Sequence, residues 1–344
     1  MKRRMFVLKA LFIGGTGTIS TEISKLLIKR GWDLTLLNRG HKSIEGAKQI
    51  LCDISDEKTA AEMLKDESFD VVADFIAFVP AQVERDIRLF NGKTKQYIFI
   101  SSASAYQKPL SSPFITESTP LANPYWEYSR NKIACEEVLM RAYRENGFPF
   151  TVVRPSHTYA EWGLPLPVHG RMGPWQVLKR MMEGKKVLVP SDGATLWTVT
   201  ASRDFAPGFV GLMGNVHAIG EAVQITSDES LTWDQIMRII ADELKVEYRP
   251  CYVPSHLLAK VPGYDFSGEL VGDKLNTVIF DNRKLKRLVP GFVCPNRFDI
   301  AGRESVRYIL SHPELQKEDP EFDALSDKVV AAMEKAEREV CGAE

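Results

Sequence analysis

The 344-residue chain has almost no net charge: 44 lysines and arginines stand against 45 aspartates and glutamates, leaving −1 with histidine neutral. A balance of this kind gives no electrostatic pull toward nucleic acid or an anionic membrane, and neither is an expected partner. Cysteine is scarce too. Cys52, Cys135, Cys251, Cys294 and Cys341 are scattered, odd in number and form no Cys-x-x-Cys pair. That pattern excludes a disulfide framework or a zinc site and fits a reducing, cytoplasmic compartment. His41, His169, His217, His256 and His312 lack metal-ligand spacing, so no metal is assigned. No apolar run approaches a membrane span. The basic start Met1-Lys2-Arg3-Arg4 precedes only a short apolar stretch, broken by Lys9 and ended by Gly14-Gly15, and is expected to lead into a first strand rather than form a signal peptide. Internal repeats and low-complexity segments are absent.

Against those absences stands Ala10-Leu11-Phe12-Ile13-Gly14-Gly15-Thr16-Gly17-Thr18-Ile19-Ser20. A strand-like apolar run enters a glycine turn, and Ile19, Ile23, Leu26 and Leu27 then follow at the spacing of one helix face. Unpaired N–H groups at a helix start, with backbone brought close by Gly14 and Gly17, make a cradle for a pyrophosphate. The loop residues Thr16, Thr18 and Ile19 belong to the same expected cofactor contact. A second strand, Asp33 to Leu37, ends in Asn38-Arg39-Gly40. An acid at that strand end would hold the adenosine ribose hydroxyls, whereas an arginine accommodates a 2′-phosphate. With Arg39 there and the acid missing, NADP(H) is favoured over NAD(H), which stays open.

Strand and helix patterns alternate through the first half. Strands are expected at Lys48–Cys52, Val71–Phe75 continuing to Phe78, Gln96–Ile100 and Phe150–Val153, with helices near 57–65, 80–90 and 126–145. This order predicts a parallel sheet covered on both faces. From Arg154 the pattern loosens into Pro155, Gly163, Pro165, Pro167, Gly170, Gly173 and Pro174, where the chain is expected to leave for a second lobe. Helices are expected at 174–182, 203–212 and 232–244, the last capped by Thr232, with short strands at 187–189 and 222–225. A polar amphipathic helix is expected from about Asp319.

Tyr128 and Lys132 lie four apart on a predicted helix, hence one turn apart on one face. A free tyrosine is too weak an acid to serve as a base at neutral pH, and an adjacent ammonium favours its phenolate. Ser102 sits at the carboxyl end of a predicted parallel strand, where such sheets collect ligands, and its hydroxyl can donate to a substrate oxygen.

Together, Gly14-x-x-Gly17, Asp53-Ile54, the Ser102–Tyr106 segment, Tyr128-x-x-x-Lys132 and Arg154-Pro155-Ser156 resemble the extended short-chain dehydrogenase/reductase family of NAD(P)-dependent sugar epimerases and dehydratases. The resemblance implies a Rossmann-type doubly wound parallel sheet with a smaller carboxyl-terminal α/β substrate lobe. Its boundaries would be 1–165 for the cofactor domain, with 200–226 returning to it, and 166–199 plus 227–344 for the lobe. It makes Tyr128 the acid/base, Lys132 the group that binds the nicotinamide ribose and lowers the Tyr128 pKa, and Ser102 the residue that orients the substrate oxygen. Asp53 and Ile54 would meet the adenine, Phe75, Ile76 and Ala77 would line the cofactor path, and Pro155 and Ser156 would lie near the nicotinamide. Ser104, His157, Trp197 and Arg203 are the implied substrate contacts, and a homodimer is expected.

Three departures qualify the likeness. Ser20 replaces a third loop glycine. Ala103 and Ser104 replace the Asp-Glu pair that 4,6-dehydratases use in water elimination, which disfavours dehydration. Trp197 occupies the region of the arginine that clamps a nucleotide diphosphate, leaving Arg203 as the substitute cation. The expected activity is therefore epimerisation or oxidoreduction of a sugar or sugar nucleotide through a keto-sugar. An NADPH-dependent carbonyl reductase is the alternative, as is a non-catalytic NAD(P)-binding or RNA-binding relative, suggested by the Asn38-Arg39-Gly40 strand end.

Overall fold

The computed structural model describes residues 7–342, so the basic lead-in at residues 1–6 lies outside the described residues. Seven strands form the central sheet: β1 (Lys9–Ile13), β2 (Asp33–Asn38), β3 (Lys48–Leu51), β4 (Val71–Asp74), β5 (Tyr97–Ile100), β6 (Phe150–Pro155) and β7 (Ala222–Ile225). Their spatial order is β3-β2-β1-β4-β5-β6-β7. Every neighbouring pair is parallel. All four residues of β4 and all four of β5 are buried, as required of strands covered on both faces.

Helices supply those covers. On one face α1 (Ser20–Lys29) brings Ile23 and Leu27 against Phe12 and Leu36, and the later helix Ser202–Leu212 adds Phe205 and Phe209. On the other, α2 (Glu57–Met63), α3 (Pro80–Phe90) and α4 (Glu127–Asn146) contribute Ala60, Val83, Leu89, Cys135 and Leu139. The chain reverses its lateral direction between β1 and β4, opening a crevice at their carboxyl ends. Gly147 stops α4 with φ +68°, its N–H bonding to Tyr143 O, a conformation that glycine adopts without the usual Cβ penalty.

The expected run from Val71 to Phe78 is cut short at Asp74. Its Oδ1 accepts from the N–H groups of Ile76 at 2.5 Å and Ala77 at 2.8 Å, folding the chain into a turn where apolar residues alone would have continued the strand.

The second lobe packs its own apolar core from Leu166, Leu178, Val189, Trp233, Ile236, Phe298 and Phe322. Thr232 caps the helix Trp233–Leu244: its Oγ1 accepts from Gln235 N, and Gln235 Oε1 accepts from Thr232 N. A fourteen-residue helix, Phe298–Ser311, was not apparent in the sequence, because its buried face includes Ala301, Gly302 and Ser305 and so lacks a strong apolar period. The expected assignment of all of 227–344 to the lobe needs one correction. Leu285 and Phe292 pack into the core of the sheet beside Phe209 and Ile225, because a short helix, Arg283–Leu288, runs back across β7.

A buried ion pair ties α4 to β6. Arg154 donates to Glu136 through Nε at 3.0 Å and Nη2 at 2.5 Å, and Ser101 Oγ donates to the same carboxylate. Both partners are under a tenth exposed. Removing one leaves the other charged in a poor dielectric. Arg154→Ala is expected to lower the unfolding free energy by about 3–5 kcal/mol in urea titrations, with Glu136→Gln added to it recovering part of the loss.

Candidate active site

The glycine loop leaves β1 at Gly14, whose N–H bonds to Leu37 O and whose φ is +96°. A Cβ there would stand 3.2 Å from Ile76 Cγ2, in the throat of the crevice. Ser20 does more than replace a glycine. Buried at the start of α1, its Oγ accepts from Gly17 N at 2.9 Å and pins the loop.

Beyond the loop lies a cavity of about 360 Å³, within the range of small-ligand sites. Gly14, Thr16, Asn38, Arg39, Asp53, Ile54 and Ile76 meet in its wall. His41, Lys42, Gln82 and Arg85 join them there. Asn38 turns its Oδ1 to Gly40 N, while its Nδ2 is buried without a partner among the described residues. An orphaned amide donor, a loop that a Cβ would crowd and a rim of Arg39, His41 and Lys42 suit the adenosine-phosphate end of a dinucleotide.

Ser102, Ser104, Tyr128, Pro155, Ser156, His157 and Trp197 line a second cavity of about 220 Å³, with Trp126, Asp273, Val278 and Phe280. The serine segment is tightly cross-linked: Ser102 and Ser104 hydroxyls lie 2.8 Å apart, and Ser129 Oγ donates to Ser104 at 2.7 Å. Burial raises the Tyr128 pKa above its ordinary value, and Ser102 beside it offsets part of the rise. Lys132 does not reverse this. Its ammonium donates to Ala77 O at 2.6 Å and Ile100 O at 2.7 Å and lies over the Phe78 and Phe99 rings, 5.7 Å from the centre of the Tyr128 ring. Burial lowers the Lys132 pKa to about 8. With these groups alone burial sets the direction of the Tyr128 shift, and the phenol rests protonated.

The remaining sequence candidates are distributed unevenly. Thr18 and Gly17 stay exposed on the loop, Ile19 is half-buried beside them, and Phe75 packs its ring on Phe12 at 5.1 Å. Trp197 borders the cavity but is 3% exposed and stacks on Trp233, so one face of its indole belongs to the core. His157 lines the same wall with its pKa drawn down to about 3 by burial, and stays neutral. Arg203 is not brought to Tyr128. It pairs with Glu304 at 2.6 Å in a separate cleft that also contains Trp162. Sequence reading missed Gln82 and Arg85, which enter from the first turns of α3, and Trp126 and Asp273. No motif marked them, because helix geometry and the second lobe deliver them to the site.

The sequence pattern of the NAD dependent epimerase/dehydratase family matches residues 10–226, and the chain belongs to that family. It is 28% identical over 251 residues to the chloroplast stem-loop binding protein of 41 kDa b from Arabidopsis thaliana, covering 68% of this chain and 62% of that protein. It is 31% identical over 169 residues to a UDP-glucose 4-epimerase from Lactobacillus helveticus, covering 43% of this chain and 51% of that enzyme. The chain thus spans between half and two thirds of the length of these two relatives. Its fold superposes on dTDP-glucose 4,6-dehydratase from Bacillus anthracis, solved in complex with NAD, with a TM-score of 0.71 at 16% identity over 90% of this chain and 98% of the other.

Gly14→Ala is expected to weaken NADH and NADPH binding about tenfold in fluorescence titrations. The added methyl must hold a left-handed backbone at a cost of about 1–2 kcal/mol and press on Ile76.

Proposed function

We propose that this protein is an NAD(P)-dependent epimerase or oxidoreductase acting on a sugar or sugar nucleotide through a keto-sugar. The observation that carries the reading is the meeting of Ser102 and Tyr128 in one cavity wall at the carboxyl end of β5, with Lys132 fixed directly beneath. Gly14, Thr16, Asn38, Arg39, Asp53 and Ile54 would hold the adenosine end of the cofactor, and Tyr128, Lys132, Pro155 and Ser156 the nicotinamide end. When bound, the dinucleotide supplies the acceptor and donor of hydride.

Tyr128 takes the proton from a substrate hydroxyl as its carbon becomes a carbonyl, and returns it in the reverse direction. Ser102 donates to the same oxygen and holds it against Tyr128. Lys132, charged below about pH 8, supplies the positive field that the phenolate form requires. Ala103 and Ser104 offer no acid for water elimination, which supports epimerisation or oxidoreduction over dehydration. Arg39 at the cavity rim supports NADP(H) and, with it, a reductase whose cofactor exchanges at each turnover.

Tyr128→Phe is expected to abolish turnover while leaving NADPH affinity within about twofold; a wild type that binds NADPH and turns over no sugar would favour a binding module of the kind named for the chloroplast relative. Oxidative turnover by the wild type is expected to climb with pH across the neutral range, as more Tyr128 ionises. Arg39→Ala should weaken NADPH about tenfold and NADH little, and an equal loss for both would remove the case for NADP(H). Nucleotide released on denaturing fresh protein, near one per chain, would identify internal recycling and an epimerase.

A further inference from the structure

Across the cavity from Tyr128 stands a group that the proposed chemistry does not use. Residues Ser267–Lys274 form a stretch of π-helix, a geometry found disproportionately at functional sites. Trp126, two residues before Tyr128, is seated on this helix where Gly268 and Gly272 leave room for its indole, and its Nε1 donates to Asp265 at 2.8 Å. Asn123 closes the other side: one amide nitrogen donates to Ser104 O at 2.8 Å and to Gly272 O at 2.7 Å. This double fastening ties the serine segment to the helix and sets Asp273, the next residue, in the cavity wall with Ser102, Tyr128 and His157.

Asp273 is the one carboxylate in that wall, and burial holds the His157 imidazole beside it neutral. Among the described residues its carboxylate has no hydrogen-bond or ion-pair partner; Lys274 pairs with Glu269 at 3.4 Å instead. Nearby, the indole N–H of Trp197 is also buried without a partner among the described residues. A free carboxylate is an acceptor with several lone pairs, and it strongly disfavours a second negative charge.

We propose that Asp273 is the substrate-selecting residue of this cavity: its carboxylate accepts hydrogen bonds from hydroxyl groups of a neutral sugar ring and turns away a sugar bearing its own carboxylate. The assignment rests on the sugar reading of the Ser102–Tyr128 site and goes beyond it by naming the charge of the ring. Burial raises the Asp273 pKa to about 6, against the pull of Lys108 and Lys274. The groups that face it are Lys108 from the loop after β5, Tyr128 from α4, His157 from the strand His157–Tyr159, and Lys274 and Glu269 on its own helix. His157 is neutral and Tyr128 protonated near pH 6, which leaves Asp273 as the cavity group that titrates there. Neutral-sugar affinity therefore falls as the pH drops through that value.

The test is calorimetric titration of the full chain, loaded with NADP⁺ or NAD⁺, with two matched pairs: glucose and glucuronate, UDP-glucose and UDP-glucuronate. The wild type is expected to bind the neutral member of at least one pair more tightly than its uronate. Asp273→Asn should weaken that neutral ligand about tenfold, narrow the gap to the uronate, and leave cofactor affinity unchanged. Wild-type affinity for the neutral ligand should also decline between about pH 7.5 and 5, a test that holds even if the variant fails to fold. Full neutral-ligand affinity and unchanged discrimination in Asp273→Asn, or a flat wild-type pH profile, overturns the selecting role while the sugar reading stands. A wild type that takes cofactor but no member of either pair overturns the sugar reading, and this assignment falls with it.

Discussion

The ammonium of Lys132, buried against the carbonyls of Ala77 and Ile100, is the interaction on which the arrangement depends. It joins α4 to the last residue of β5 and to the turn just beyond the adjacent strand β4, and so fixes where Tyr128 can stand. Ala77 O is available only because Asp74 has bent the chain after β4. Asp74 in turn lies in a buried network in which Arg85 donates to Asp86 at 2.7 Å and Tyr97 OH donates to the same residue at 2.7 Å. Asp86, walled in beside Asp74, has its pKa pushed far up by burial and by that neighbouring carboxylate. A charged side chain beneath the Ser102–Tyr128 cavity is thereby referred back, through main-chain turns, to the packing of the sheet.

Much of the fold could be read in the sequence because its signals are local. Val71–Ala73 and Tyr97–Ile100 are apolar runs, Gly147 and Thr232 mark helix ends, and Gly14 and Gly17 mark the turn at the crevice. The grouping of Gly14, Asn38, Arg39, Asp53 and Ile54 around one cavity was legible for the same reason: these residues leave consecutive strand ends, so chain order becomes spatial order. The cavity at Tyr128 was less so. Trp126 and Asp273 are brought together by a contact between two lobes, and no period or spacing in either segment records it. Trp197 was legible only as an aromatic; that Trp233 takes its face is a property of the lobe's core. The ionisation state of Tyr128 was also beyond the sequence, since the Tyr-x-x-x-Lys spacing reports proximity but not burial.

The two cavities differ in sign. Arg39, His41, Lys42 and Arg85 surround the one at β2 and β3, with Asp53 their counterweight, whereas the cavity at Tyr128 has a carboxylate, hydroxyls and the neutral imidazole of His157, with no lysine or arginine in its wall. A molecule with phosphates at one end and an uncharged ring at the other would find this gradient already laid out along the carboxyl edge of the sheet.

Gly268 and Gly272 sit one helical turn apart under the indole of Trp126, and a Cβ at Gly268 would run into that ring. The seating of Trp126 in the wall of the Tyr128 cavity is therefore set by two hydrogen atoms in places where most residues carry carbon. Among descendants of this gene, one alanine at 268 would displace the tryptophan and alter the size of the cavity without touching any reacting group, which gives selection a way to retune substrate size while keeping the chemistry.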